Sequence, residues 1–210
     1  DGYIAYGAEP CKFPAAADLP TIEVKFKTSL AEGEEKFLPY KRDEKLARPW
    51  AVPGTAGLEH RIGGIEKQHE TGNVSYDPEN HEFMVKMRQA KVDKIADFIP
   101  LQTIDSGANN GKVLVLGWGS TYGTIKSAVL QLQSQGKSVS HAHIKYMRPF
   151  PKNLGEILAG FETILIPEIN NGQLIKIIRD QYLVDAKAYN KIMGIPITKL
   201  ELVTAIESYL

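Results

Sequence analysis

The hydrophobic rhythm of the chain changes near Gly111. Beyond that point, short all-apolar runs alternate with stripes of helical period. Residues 113–116 are apolar without a break, the pattern of a strand buried on both faces, as in a parallel sheet. Residues 121–135 place Ile125, Ala128, Val129 and Leu132 on one stripe, with Gly136 as the stop. The pattern then predicts a strand at 138–144, a short helix at 153–160 and a strand at 163–166. A helix follows at 172–182 with Leu174, Ile177 and Ile178 inward, then a strand at 183–188. Thr198-Lys199-Leu200-Glu201 reads as a capping box, opening a last helix with Leu200, Val203, Ile206 and Leu210 inward. Repeated strand–helix units predict an α/β fold, a three-layer open and mostly parallel sheet with helices on both faces.

Residues 1–110 are irregular and hold most of the prolines. Residues 21–27 alternate cleanly, with Ile22, Val24 and Phe26 on one side and Glu23, Lys25 and Lys27 on the other. This predicts a half-buried strand. Residues 29–49 are charged and read as a surface excursion, and 48–66 are too rich in Gly and Pro for a helix. Residues 57–66 and 73–76 suit two ribbon strands joined by a loop at 67–72. Asp77-Pro78 then opens the clearest helix, 77–99: Asp77 caps free N–H groups and Pro78 sits where its missing N–H costs nothing. Its predicted apolar positions are Val85, Val92, Ile95 and Ile99, flanked by Met84 and Met87, and Pro100 ends it. Residues 102–111 read as a polar linker. The expected organisation is a connecting arm, 1–110, with strand 21–27 and helix 77–99, followed by an α/β domain, 111–210.

Composition narrows the function. The 210 residues carry 25 Lys+Arg and 25 Asp+Glu, a formal charge of zero, which argues against a general nucleic-acid or membrane-surface binder. No apolar run approaches membrane-spanning length. The single cysteine, Cys11, forms no internal disulfide and cannot by itself hold an iron–sulfur cluster. With neither a disulfide framework nor a signal-peptide layout, a cytoplasmic location is expected. The start at Asp1, without an initiator Met, reads as excision from a longer chain.

Candidate chemistry lies in loops. Gly117-Trp118-Gly119-Ser120-Thr121-Tyr122-Gly123 follows a strand and opens a helix, where free N–H groups suit an anion. Its spacing is not the dinucleotide pattern and no P-loop lysine follows, so a tight turn needing small residues is the simpler account. His141 and His143 share one face of a strand. With no acidic or cysteine partner at ligand spacing, they read as buried, hydrogen-bonded histidines rather than a metal pair. Glu59, His60 and Arg61 stand together in a glycine-flanked loop, a candidate interface ahead of a catalytic role. The loops at the carboxyl ends of parallel strands are where open α/β sheets bind ligands. Arg148 with Lys145 in one such loop, and Glu168 with Asn170 in another, are candidates there, and the opposite charges suit an ion pair. No nucleophile–base–acid set is evident, and neither catalytic nor metal-ligating residues are assigned.

Several stretches then resemble one family. RPWAVPGTAGLEHRIGGIEKQHETGNVSYDPENHEFMVKMRQAKVDKIA (48–96), VLVLGWGSTYGTIKSAV (113–129), SHAHIKYMRPFPKNLGEIL (140–158), ILIPEINNGQL (164–174) and LVDAKAYNKIMGIP (183–196) resemble the alpha subunit of 2-oxoglutarate:ferredoxin oxidoreductases, in order. The GLEH core and the spaced set His81, Met84, Arg88 and Lys91 are similar across related 2-oxoacid:ferredoxin oxidoreductases. The resemblance covers nearly the whole chain. It implies an enzyme that decarboxylates a 2-oxoacid on thiamine diphosphate with magnesium, passes electrons through iron–sulfur clusters to ferredoxin, and forms an acyl-CoA. It also implies a domain similar to the C-terminal domain of transketolase at 111–210. DGYIAYGAEP would be the close of an upstream thiamine-binding domain. The implied partners are that domain, the beta subunit and ferredoxin. The chain lacks the G-D-G…N metal-diphosphate motif and the cluster cysteines, so it is expected to bind none of these cofactors itself and to be inactive alone, serving assembly. The alternatives are the equivalent domain of a sister enzyme using branched-chain 2-oxoacids or pyruvate, or a module binding a small anion such as CoA.

Overall fold

The structure, a computed structural model, describes residues 13–210; Cys11 and the DGYIAYGAEP stretch lie outside the described residues. Two compact units divide the chain, one ending at Phe98 and the other beginning at Ile99.

In the first unit, β1 (Phe26–Lys27) pairs in parallel with β2 (Trp50–Ala51), Phe26 opposite Trp50. The strand expected at 21–27 is therefore only its last two residues. Ile22, Val24 and Phe26 are exposed, so the alternating face is not buried among the described residues. The expected ribbon contracts too: Lys67 and Val74 form an antiparallel bridge, Gln68 N–H donates to Asn73 O and Ser75 N–H to Glu66 O. Helix α1 (Pro78–Lys94) begins as predicted. Pro78 stands at its first turn, and the Asp77 carboxylate accepts the Glu79 N–H at 3.0 Å. A 3₁₀ turn, Ile95–Asp97, continues it. Its buried residue is Met84, whereas Val85 and Ile95 are exposed. Met84 is buried in this unit, as are Phe37 and Leu58. The Asn80 side chain ties α1 to the ribbon, accepting from His69 N–H and donating to Lys67 O.

The second unit alternates strands and helices: β3 (Gly111–Trp118), α2 (Tyr122–Ser134), β4 (Val139–Ile144), α3 (Leu154–Ala159), β5 (Phe161–Glu168), α4 (Gln173–Tyr182), β6 (Lys187–Asn190) and α5 (Lys199–Glu207). The strand order is β4-β3-β5-β6 and every pair in this sheet is parallel. Continuous apolar runs dictate this arrangement, because they must be covered on both sides. Leu114, Leu116, Ile164 and Ile166 face one layer with Leu158, Leu174 and Ile178. Val113, Val115 and Leu165 face the other with Ile125, Val129, Leu132 and Ile206. Each such Leu, Ile or Val contributes about 1.5–3 kcal/mol by leaving water.

Three helix and strand expectations shift. On α4, Ile175 is buried and Ile177 exposed; on α5, Leu202 is buried and Leu200 exposed. The strand expected at 183–188 starts at Lys187, because Leu183 takes a left-handed conformation (φ 53°) that ends α4 and leaves its side chain 90% exposed. The capping box forms as predicted, with Thr198 Oγ1 accepting from Glu201 N–H and the Glu201 carboxylate accepting from Thr198 N–H. Residues 102–108 are not a free linker. They run along the outer edge of β4: Asp105 N–H donates to His141 O, His141 N–H to Ser106 O, and Ser140 Oγ to Ala108 O. The exposed donors and acceptors of an edge strand are thereby covered.

Candidate functional site

The carboxyl ends of β3, β5 and β6 bring together the predicted loop residues. Gly117 lies inside β3 rather than in the turn. A Cβ there would strike Ile125 Cδ1 and come 2.9 Å from His143 Nδ1, so its small size serves packing of α2 and β4 against β3. The turn is a 3₁₀ helix, Gly119–Thr121, with Gly119 at φ 60°. Buried Thr121 donates its hydroxyl to Trp118 O at 2.8 Å, and Ser120 is half-buried.

Glu168, at the end of β5, is completely buried. It accepts from Leu174 N–H at 2.9 Å, Ile175 N–H at 3.2 Å and the Trp118 indole N–H at 3.3 Å. Asn170 Oδ1 accepts from Gln173 N–H at 2.9 Å. The first three amides of α4 are thus satisfied internally, and a carboxylate occupies the positive end of the helix, where an anion would bind. The expected pairing of Glu168 with Arg148 or Lys145 gives way to these contacts; Arg148 and Lys145 are exposed. Glu168 and Asn170 are structural caps in this chain.

The loop after β6 is held by Lys191. Its buried ammonium donates to Pro196 O and to both oxygens of Glu201, at 2.8 and 2.9 Å, and its N–H donates to Glu168 O. Lys191 and the Thr198 donors pull the Glu201 carboxyl down to about 2. This anchorage leaves Ile192, Met193 and Ile195 exposed at the same edge. The crevice among Ser120, Thr121, Ile169 and Ile197 encloses about 60 Å³, room for a water or two and too small for a nucleotide.

A second cleft, of about 240 Å³, lies beside the end of β4, lined by Asp105, His143, Lys145 and Tyr146. Asp105, which the sequence did not single out, accepts from His143 N–H at 2.8 Å. Nε2 of His143 lies 3.1 Å from Gly119 O. His141 departs from expectation: it is wholly buried, but neither ring nitrogen has a hydrogen-bond partner among the described residues. Its ring packs 5.4 Å from Tyr122 and 5.6 Å from His143. Burial pushes His141 down to about 4, with His143 and Lys126 adding to the shift and Asp105 opposing it. His143 is also lowered, chiefly by burial.

Glu59, His60 and Arg61 fall in the first unit. Leu58 anchors their loop in the core. His60 turns inward, with Nδ1 2.8 Å from Leu58 O and its ring edge-on to Phe37 at 4.9 Å, while Glu59 and Arg61 point to solvent. The three do not converge on one point.

This α/β unit is of a recognised class: residues 111–200 match the family described as pyruvate:ferredoxin oxidoreductase core domain II. The chain is 45% identical over 196 residues to 2-oxoglutarate oxidoreductase subunit KorA of Mycobacterium tuberculosis, a match covering 93% of the chain and 29% of that protein. It is 33% identical over 125 residues to the alpha subunit of a 2-oxoacid:ferredoxin oxidoreductase of Saccharolobus solfataricus, covering 58% of the chain and 19% of that protein. A solved 2-oxoglutarate:ferredoxin oxidoreductase from Magnetococcus marinus, with 2-oxoglutarate, coenzyme A and succinyl-CoA bound, superposes with a TM-score of 0.82 at 27% identity, over 93% of the chain and 34% of that one. The chain belongs to the 2-oxoacid:ferredoxin oxidoreductase family, and it spans about a fifth to a third of the length of these relatives.

Proposed function

We propose that the chain is a portion of the alpha subunit of a 2-oxoglutarate:ferredoxin oxidoreductase. The reaction is 2-oxoglutarate + CoA + oxidised ferredoxin to succinyl-CoA + CO2 + reduced ferredoxin, and the whole enzyme uses thiamine diphosphate, magnesium and iron–sulfur clusters. Among the described residues no three His, Cys, Asp or Glu side chains converge as a metal site. The reading rests on the extended identity to a subunit named for this substrate.

Within that enzyme the role of the α/β unit is assembly, against the upstream thiamine-binding domain of its own subunit and against the beta subunit. One observation carries this. At the ends of β5 and β6, Glu168 and Asn170 are engaged by the amides of α4 and Lys191 by Glu201, and beside them the loop after β6 exposes Ile192, Met193 and Ile195. An anion finds its place already taken, whereas a protein surface finds an apolar centre of the kind interfaces bury.

Charging this edge tests the assignment. Ile192→Asp combined with Met193→Asp alters two exposed side chains, so the chain should fold normally. Introduced into the full enzyme, the pair should reduce recovery of assembled subunits and turnover together. Unchanged assembly and turnover would refute the role. The isolated chain should show no 2-oxoglutarate-dependent reduction of an electron acceptor.

A further inference from the structure

A cavity of about 450 Å³ opens in the first unit, between the chain around Tyr40–Arg48, the ribbon and α1. Its wall carries five cationic side chains, Arg42, Arg48, Lys67, Arg88 and Lys91, and one carboxylate, Glu66. The carboxylate is already engaged, by His81 and, at 3.5 Å, by Arg88. No ion pair reaches Arg42, Arg48, Lys67 or Lys91 among the described residues.

Arg42 is the sharpest case. It is half-buried, and its guanidinium lies 5.6 Å from the Tyr40 ring centre, with a long contact to Tyr40 O, 3.4 Å, and the Met84 sulfur at 3.8–3.9 Å. Burial lowers its pKa, and the neighbouring Arg48 and Arg88 charges lower it further. Arg48 stacks on the Tyr40 ring at 4.3 Å, and its N–H groups have no hydrogen-bond partner among the described residues. Lys67 is buried, and its ammonium donates to Gly63 O. Holding like charges together in a half-buried cleft is unfavourable unless an anion is supplied from outside. Three guanidinium groups suit the paired oxygens of phosphate, which accept two parallel N–H bonds from each fork. The volume lies within the range of small-ligand sites. Three members of the spaced motif, Met84, Arg88 and Lys91, line this cavity, and the assembly role leaves them without a task.

We propose that this cavity binds a compact phosphate-bearing anion, with Arg42 and Arg48 as its principal ligands and Lys91 as a supporting charge. The proposal is independent of the assembly role, since it concerns neither the carboxyl edge nor its apolar residues.

Isothermal titration of the chain with inorganic pyrophosphate at constant ionic strength tests it, with citrate as a carboxylate anion of similar charge. The variants are Arg42→Gln and the double change Arg48→Gln with Lys91→Gln. The latter two residues are exposed, so the fold should be retained even if Arg42→Gln perturbs it. Saturable pyrophosphate binding, weakened at least tenfold in the double variant at unchanged melting temperature, supports the site. Binding equal in wild type and double variant would overturn it, as would no binding at all. Citrate binding more tightly than pyrophosphate would overturn the phosphate assignment.

Discussion

Replacing Glu168 by alanine removes one buried carboxylate and strands three donors: the N–H groups of Leu174 and Ile175 and the Trp118 indole N–H. Each hydrogen bond to a charged acceptor contributes about 1.5–3 kcal/mol net, and each donor left buried without a partner costs about 1–3 kcal/mol. The terms do not add fully, since the start of α4 can relax and deleting the charge removes its own desolvation cost. Losing one partner of a buried charged constellation costs about 3–5 kcal/mol in comparable settings, and that is the expected loss for Glu168→Ala. Glu168→Gln keeps one acceptor oxygen but turns an NH2 toward a donor and loses the favourable charge at the helix start, so about 2 kcal/mol is expected. Urea unfolding followed by tryptophan fluorescence and far-UV circular dichroism gives both numbers. Trp118 makes the fluorescence a local reporter, since its indole partner is the group removed. A binding carboxylate would behave oppositely: the alanine variant would fold with wild-type stability and lose only a ligand or partner. A loss below about 1 kcal/mol for Glu168→Ala would therefore refute the capping assignment.

Two further outcomes follow from the packing around β3 and β4. His141 is held neutral in the fold at about 4, against an ordinary value of 6.5, so the unfolded chain binds the extra proton first as pH falls. Its contribution is complete above about pH 6.5 and is lost progressively toward pH 4, about 3 kcal/mol in all. His141→Phe should flatten this part of the stability–pH profile, and an unchanged slope between pH 7 and 4 would count against it. Gly117→Ala drives a methyl into Ile125 and His143 and should cost about 1–3 kcal/mol, lowering the melting temperature by several degrees; an unshifted thermal unfolding curve would contradict the packing reading.

Residue pattern alone was enough for the architecture of the second unit. Apolar runs such as 113–116 can be buried only between two helical layers, and the Asp77 and Thr198 caps act within three residues, so local chemistry was enough to place them. It also determined family membership, because that rests on residue order alone. Packing in three dimensions selected which neighbour on a helix faces inward, burying Ile175 and Leu202 and leaving Ile177 and Leu200 outside, since a stripe one residue wider satisfies the same periodicity. It decided that the alternating 21–27 stretch stays largely unpaired, because alternation names a face but not what covers it. It set Glu168 against the start of α4, as the amides of Leu174 and Ile175 arrive only when α4 folds back on β5. The cationic cavity has the same origin. Arg42 and Lys91 stand far apart along the chain, and charge summed over the sequence is zero, so only folding reveals that their neighbourhood is not neutral.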